Sequence, residues 1–196
     1  MKKFELTSET KINIFGKKLF RIKALISFGD VKAGETGGWV EKEGNVNQSG
    51  NAWVFGDAMV SGDARVSGNA MVSGNAEVSG NAEVSGDAEV SGDAWVSGNA
   101  WVSGDVWVSG DARVFGDAEV SGDADYTTIH GFGTQFRTTT FFRCKDKKVR
   151  VACGCFFGTI PEFREQVKDT RKGKIAEEYL MIADLMEKHF EVKSDE

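Results

Sequence analysis

The two side chains most often used for acid–base and nucleophilic catalysis, imidazole and thiol, are rare in this sequence. The only histidines are His130 and His189, and both lie outside the repetitive stretch from Asn51 to Asp125. General-base catalysis needs a group that titrates near neutral pH and is held at the substrate. The repetitive stretch offers only aspartate and glutamate for that work. We therefore predict no catalytic residues, no cofactor and a protein that is not an enzyme.

Three cysteines cluster late in the chain, at Cys144, Cys153 and Cys155. Structural zinc sites use four ligands, commonly from paired C-x-x-C segments, and this cluster lacks both the pairs and a fourth ligand at the usual spacing. We expect no metal site, and buried or half-buried thiols on a hairpin instead. An odd number of clustered thiols suits a reducing cytoplasm better than a disulfide framework. Phosphate-binding G-x-x-x-x-G-K-S/T and nucleophile-elbow G-x-S-x-G motifs are absent from the sequence.

Three tryptophans, Trp95, Trp101 and Trp107, follow one another at intervals of six residues. Large exposed aromatic side chains commonly mark an interface. The element that carries the three rings decides whether they are exposed, and that element is the repeat.

The repeat is the six-residue phrase Val-Ser-Gly-Asn/Asp-Ala-x, with valine at every sixth position from Val54 to Val120. In an extended segment side chains alternate between faces, so valine points inward and its two neighbours point outward. Glycine followed by Asn or Asp tolerates positive φ and permits a corner, and alanine is small enough to lie inside it. A helix is disfavoured because glycine in every repeat costs about 1 kcal/mol relative to alanine.

Such short strands bury their valines only if successive coils stack and pair edge to edge. The pattern predicts a mainly β fold, a single-stranded parallel β-helix with three strands and eighteen residues per coil. The uninterrupted repeats give about four coils and a prism roughly 20 Å long. Val40 and Val46 are already six residues apart, whereas Val54 follows after eight, so the first coil begins near Trp39 and has a two-residue corner insertion.

Three strands per coil would place Trp95, Trp101 and Trp107 on three successive faces of one coil, as an outward aromatic belt. One hypothesis is that this belt is a binding surface. The other is that these tryptophans are only strand formers, covered by the terminal segments of the chain.

The Val and Ala positions and the strict period of six resemble the hexapeptide-repeat family. That resemblance implies a left-handed, triangular β-helix and a homotrimer. Many members are acyltransferases with a histidine base, and some relatives are metal-dependent carbonic anhydrases. This chain departs from both, because its repeats contain no histidine and no long excursion loop.

Three segments are similar to uncharacterised proteins of prophages and their bacterial hosts. These segments are Gly37-Gly38-Trp39-Val40-Glu41, the Ser-Gly-Asn-Ala-Trp-Val run, and the tail Thr139-Thr140-Phe141-Phe142-Arg143 with Gly154-Cys155-Phe156. The similarity implies a role in phage biology or host interference.

The formal net charge of −6 is unevenly distributed, because residues 51–125 contain 13 acidic residues and only two arginines. Phosphate contacts need Lys and Arg, so we do not expect the prism to bind nucleic acid directly. Two explanations of the acidity stay open. The acids keep a repetitive β surface soluble, or the acidic body imitates DNA.

On an eighteen-residue coil, one corner position stacks as the column Asn51, Asn69, Asp87, Asp105 and Asp123. Stacked asparagines can form hydrogen bonds along the column, and three successive aspartates could hold a cation such as calcium. We favour the simpler interpretation, in which these side chains point into solvent or bond the turn backbone.

The N-terminal segment predicts a cap for the first coil. Residues 4–27 indicate a β-hairpin with strands Lys11–Phe15 and Leu19–Ile26 around a turn at residues 16–18. The hairpin would cover strand edges that otherwise invite aggregation.

The C-terminal segment predicts a small α+β module. A second hairpin is expected from Thr138–Arg143 and Lys148–Cys153. A capping box at Thr159 begins a helix that runs to about Thr170 and is ended by Gly173. A second helix is expected from about Ile175 to Phe190, with an apolar stripe that packs on its own module. The predicted domains are 1–38, 39–126 and 127–196.

Together these patterns favour a rigid acidic scaffold that presents terminal modules to a macromolecular partner. No stretch of 18 apolar residues and no apolar signal core occur, so we expect a soluble, cytoplasmic protein without membrane contact. Three alternatives stay open: a phage anti-defence inhibitor that mimics DNA, a protein that sequesters a small nucleotide, and a degenerate acyltransferase.

Overall fold

A computed structural model of the protein describes residues 2–191. Met1, at the start of the predicted cap, and residues 192–196, at the end of the predicted C-terminal module, lie outside this range. The chain divides into two compact units, Met1–Gly122 and Asp123–Glu196. The N-terminal hairpin belongs to the same unit as the repeats, and the predicted domain limits stay a prediction.

The chain begins with a hairpin of β1 (Phe4–Ile12) and β2 (Lys18–Ala24), followed by β3 (Thr36–Val40). Of the predicted strand Lys11–Phe15, only Lys11 and Ile12 lie in β1; the prediction is wrong for residues 13–15, because the Asn13 side chain organises the turn. Its Oδ1 accepts the backbone N–H groups of Phe15 at 3.1 Å and Lys17 at 2.9 Å. Hydrophobic Phe15 therefore belongs to the turn and not to a strand.

Each of the twelve regular repeats forms a two-residue strand that ends at its valine. A glycine corner at positive φ follows eleven of these strands. Gly122, which follows the last strand, does not have positive φ. The strands are β4 (Trp53–Val54), β5 (Met59–Val60), β6 (Arg65–Val66), β7 (Met71–Val72), β8 (Glu77–Val78), β9 (Glu83–Val84), β10 (Glu89–Val90), β11 (Trp95–Val96), β12 (Trp101–Val102), β13 (Trp107–Val108), β14 (Arg113–Val114) and β15 (Glu119–Val120).

These strands stack into three parallel arrays, as expected for three strands per coil. The first array is β3-β5-β8-β11-β14, the second is β4-β7-β10-β13 and the third is β6-β9-β12-β15. Val60 pairs with Val78, eighteen residues later, whereas Val40 pairs with Val60, twenty residues later. The eighteen-residue coil and the two-residue insertion in the first coil are both confirmed.

The interior of the coils is a valine and alanine core. Every valine from Val54 to Val120 is fully buried, and so is each corner alanine to within 1%. Burying one such valine contributes about 1.5–3 kcal/mol. The unbroken period therefore stabilises every coil in the same way.

The hairpin extends the first array in the antiparallel sense, because β2 pairs with β3 and β1 pairs with β2. The free edge of β3 is therefore covered, as the predicted cap requires. Lys3 adds a second contact at this end, where its Nζ donates to the carbonyl oxygens of Ala52 at 2.9 Å and Gly50 at 3.2 Å.

The C-terminal unit is a four-stranded antiparallel sheet with two helices. Its strands pair in chain order: β16 (Tyr126–Phe132), β17 (Arg137–Arg143), β18 (Val149–Cys153) and β19 (Phe156–Thr159). The predicted hairpin corresponds to β17 and β18, but the sequence interpretation missed β16 and β19. A glycine, Gly131, lies within β16 and is atypical of a strand interior, and β19 has only four residues.

Helix α1 (Ile160–Thr170) begins at the predicted capping box, in which Thr159 is the N-cap and Glu162 accepts its backbone N–H at 2.7 Å. Helix α2 (Gly173–His189) begins earlier than expected. Gly173, predicted to end the first helix, instead opens the second at φ +57°.

The predicted stripe on α2 packs within its own unit, as expected. Phe141, Val151, Phe163 and Val167 form a buried cluster with the stripe residues Tyr179, Ile182, Met186 and Phe190. No helix among residues 2–191 is long and apolar enough to span a bilayer.

Candidate functional site

The three tryptophans of the predicted belt lie on three different arrays. Trp95 is in the first array, Trp101 in the third and Trp107 in the second. Each immediately precedes a buried valine, and strand alternation therefore directs each ring outward. The predicted placement on three successive faces is confirmed, while the binding role of the belt stays a prediction.

The three rings differ in exposure. Trp107 is 66% exposed and Trp101 is 42% exposed. Trp95 is only partly exposed, because Phe15 at the hairpin turn packs on it with ring centroids 6.0 Å apart. The indole N–H of Trp101 donates to Ser85 Oγ at 3.4 Å, so this ring lies back over the preceding coil.

The hairpin also covers other outward residues of the first array. Lys11 Nζ lies 4.6 Å from the centroid of the Trp39 ring. Glu77, in the same array, is only 9% exposed. Burial raises the pKa of the Glu77 carboxyl, and nearby Lys11 partly offsets that rise.

Trp53 in the first coil, which is not part of the belt, is covered by the N-terminal segment. Trp53 is completely buried. Phe4 and Phe28 meet its ring edge to face, with centroids 5.8 Å and 5.4 Å away. The pair Trp101 and Trp107 has no such cover from the hairpin, and their exposure distinguishes them from the other tryptophans.

Acidic side chains flank this exposed pair. In the third array Trp101 lies between Glu83 and Glu119. In the second array Trp107 pairs with Glu89. An indole face attracts cations, and the neighbouring carboxylates add negative potential. The outward residues Trp101 and Glu83 on one face and Trp107 and Glu89 on another are called here the Trp–Glu surface. Their indole and carboxylate groups suit a basic and partly apolar ligand.

The corner columns are partly bonded ladders. Asn51 Nδ2 donates to Asn69 Oδ1 at 2.9 Å, and Asn69 Nδ2 donates to Asp87 Oδ1 at 2.9 Å. The expected hydrogen bonds between stacked asparagines are confirmed, because the eighteen-residue coil brings each exposed amide to its next acceptor. Similar bonds join Asn75 to Asp93, Asn81 to Asn99 and Asn99 to Asp117.

Neither the columns nor the cysteines form a metal site in the described part of the chain. Within residues 2–191 no three His, Cys, Asp or Glu side chains are grouped to hold an ion. Cys144 is buried, Cys153 is half-buried and Cys155 is exposed, and within residues 2–191 none of the three is in a disulfide.

The two histidines lie at the surface of the C-terminal unit on separate elements. His130 is on β16 and its Nδ1 lies 3.0 Å from Thr138 Oγ1. His189 is the last residue of α2, with its ring edge to face with Phe190.

Comparison with known proteins bears on the fold alone. A sequence model of the YdcK beta-solenoid repeat matches residues 64–80. These residues contain β6 to β8, and the chain is therefore similar to that solenoid over about one coil. No curated protein matches the chain.

Proposed function

We propose that this protein is a non-enzymatic β-solenoid scaffold that binds a basic segment of another protein through the Trp–Glu surface. The observation that supports this most directly is the exposure of Trp101 and Trp107 on adjoining faces of one coil. In the coil before it, the same hexad positions hold Glu83 and Glu89. The acidic repeats add a long-range attraction for a basic partner.

The solenoid presents this surface on a stiff support. Each of the two tryptophans is followed by a fully buried valine. The Trp101 backbone N–H donates to the carbonyl oxygen of Ala118 in the next coil at 2.8 Å. Little conformational entropy is therefore lost from the backbone when a partner binds.

The test is capture of partners from a bacterial lysate, with mass spectrometry of both proteins and small molecules. The variant Trp101→Ser/Trp107→Ser should keep its fold and lose the basic partner. Interface tryptophans contribute at least about 2 kcal/mol, or roughly thirtyfold in affinity. The matched control is Arg65→Ser/Met71→Ser, which changes the same outward positions of the same arrays two coils earlier.

The double tryptophan variant also separates the alternatives. If the double variant still captures the partner but loses it as salt rises, the acidic side chains of the repeats act without the tryptophans, and the DNA-mimic alternative is favoured. Capture of a small nucleotide favours sequestration, and binding of acetyl-CoA favours a degenerate acyltransferase. Unchanged capture with unchanged salt dependence contradicts the Trp–Glu surface.

We also propose a family relationship, a handedness for the coils and an oligomeric state. The strict period of six and the buried Val and Ala positions support a hexapeptide-repeat relationship, and left-handed coils follow from that resemblance alone. The similarity of residues 37–41 and of the C-terminal segments to prophage proteins supports a prophage-associated role, and the cluster of three thiols supports a cytoplasmic location. A homotrimer follows from the hexapeptide-repeat resemblance. Sedimentation of the wild type and of the double tryptophan variant distinguishes self-association through the belt from binding of a different protein.

A further inference from the structure

The C-terminal unit contains a cavity of about 100 Å³ that is independent of the Trp–Glu surface. Two of the three thiols, Cys153 and Cys155, line it together with two arginines, Arg137 and Arg171. Phe163 and Tyr179 also contribute to its wall. The cavity thus combines a pair of sulfur nucleophiles with cationic groups suited to carboxylates.

The turn between β18 and β19 brings the two cysteines close together. Cys153 pairs with Phe156 across this turn, which leaves only Gly154 and Cys155 in the loop. Two Cα–Cα steps span at most about 7 Å even when extended. A tight turn shortens this to within the range of about 4.4–6.8 Å that a disulfide requires.

Glycine is required between the cysteines for two reasons. Gly154 has φ +62°, a conformation that side chains with Cβ rarely adopt. A Cβ at this position would also lie 2.5 Å from Arg137 Nη1. The guanidinium of Arg137 therefore lies directly against the turn that carries both thiols.

The two thiols have different surroundings. Cys155 is exposed, whereas Cys153 is half-buried and its Sγ accepts a hydrogen bond from Thr139 Oγ1 at 3.2 Å. Tyr179 lines the same cavity. Burial raises the pKa of its hydroxyl, and Cys153 adds a smaller rise. An incoming reagent thus meets Cys155 first, and Cys153 is held behind it.

We propose that Cys153 and Cys155 are a redox-active dithiol that closes to a disulfide by exchange with a small, carboxylate-bearing disulfide. The Cys155 thiolate attacks one reagent sulfur and releases a first thiolate. The Cys153 thiolate then attacks Cys155 Sγ and releases a second. Both protons pass to the released thiols, so one dithiol and one reagent disulfide give one protein disulfide and two small thiols. Closing so small a loop strains the bond, and strained, exposed disulfides are the reversible ones.

The experiment incubates the full-length protein with oxidised glutathione and follows it by intact-mass and peptide-mass spectrometry. The wild type should lose two hydrogens and yield a Cys153–Cys155 disulfide that excess reduced glutathione reopens. Cys153→Ser should instead accumulate one glutathionyl group on Cys155. Cys144→Ser is the control that leaves closure unchanged.

A second comparison tests the role of Arg137. Arg137→Ala should slow closure by glutathione disulfide about tenfold, the effect of losing one charge-assisted hydrogen bond. Its reaction with neutral hydroxyethyl disulfide should be unchanged. Circular dichroism confirms that each variant is folded, and the wild-type measurement depends on no variant.

Three results would overturn the dithiol proposal. The first is that the wild type keeps both thiols. The second is that its reaction stops at a stable mixed disulfide with glutathione. The third is that Cys144 is oxidised as readily as the turn cysteines. Because the proposal does not rest on the Trp–Glu surface, partner capture is expected to be the same in the reduced and oxidised protein.

Discussion

Trp53 and Trp107 occupy the same hexad position of the second array, three coils apart, yet one is completely buried and the other is 66% exposed. Both precede an inward valine, and the backbone directs both rings outward. The difference arises outside the repeat, because Phe4 and Phe28 of the N-terminal segment cover Trp53. The same residue at the same position thus serves packing in the first coil and stays available for binding in the last.

The most direct test of this comparison is truncation of each ring. Trp53→Ala removes a fully buried indole and should lower the free energy of unfolding by about 3–5 kcal/mol. Trp107→Ala should change it by no more than about 0.5 kcal/mol. Urea unfolding followed by circular dichroism measures both. Similar losses in the two variants would contradict the assignment of different roles.

A second contrast compares a corner inside the stack with one at its end. Gly86 and Gly110 have φ +70° and +65°, so alanine at either should cost about 1–2 kcal/mol. At Gly86 the added Cβ would also lie 2.8 Å from Gly104 N in the next coil, whereas nothing lies within 4 Å at Gly110. Gly86→Ala should therefore cost about 1–3 kcal/mol more. Thermal unfolding of the pair gives the difference, and equal midpoints would show that coil contact does not restrict this corner.

The hairpin creates a third difference, at Glu77 in the first array. Within the described chain its Oε1 has no hydrogen-bond partner, and burial raises the pKa of the carboxyl above 4.5. A raised pKa means that the folded state holds the proton more tightly, so this contribution to stability is present below pH 4.5 and is lost as pH rises through the folded pKa.

Glu77→Gln should therefore stabilise the protein by about 1 kcal/mol at pH 7 and have little effect at pH 4. Urea unfolding at both pH values measures the change. Glu83→Gln, at an exposed outward position of the third array, is the matched control. A stabilisation that is the same at both pH values would show that charge burial is not its cause.

The fate of each tryptophan explains how far the sequence could predict the molecule. The eighteen-residue register was predictable, because valine recurs at every sixth position and every one of these valines is buried. The cover over Trp53 was not, because it depends on where Phe4, 49 residues earlier, comes to lie. Repetition determines contacts between neighbouring coils, whereas contacts with non-repeated segments carry no periodic signal.

The C-terminal unit teaches the same lesson at the level of single residues. The capping box at Thr159 is a local signal and predicted the start of α1 within one residue. The cavity at Cys153 depends on β19, which was missed, and on the approach of Arg137 from β17. The signal that could have found it is Cys-Gly-Cys at a strand end, with a glycine suited to a two-residue turn.

The corner columns contain the smallest expected difference between early and late coils. The column that begins at Asn51 is amide-rich in its first two coils and acidic afterwards. Its amides donate along the stack, so Asn69 places a hydrogen-bond donor, and not a second carboxylate, next to Asp87. Asn69→Asp replaces this hydrogen bond by two carboxylates about 4.8 Å apart, which repel by about 0.9 kcal/mol in water.

The reverse change sharpens this last prediction. Asp93 accepts from Asn75 at 2.9 Å, and an amide at position 93 could still accept that bond while donating toward Asp111 in the next coil. Asp93→Asn should therefore stabilise the protein by up to about 0.9 kcal/mol, and Asn69→Asp should destabilise it by a similar amount. Both effects should shrink in 1 M salt, where charges are screened beyond about 3 Å. Thermal unfolding at low and high salt measures them, and changes of the same sign in the two variants would contradict a ladder that runs from amide donor to acid acceptor.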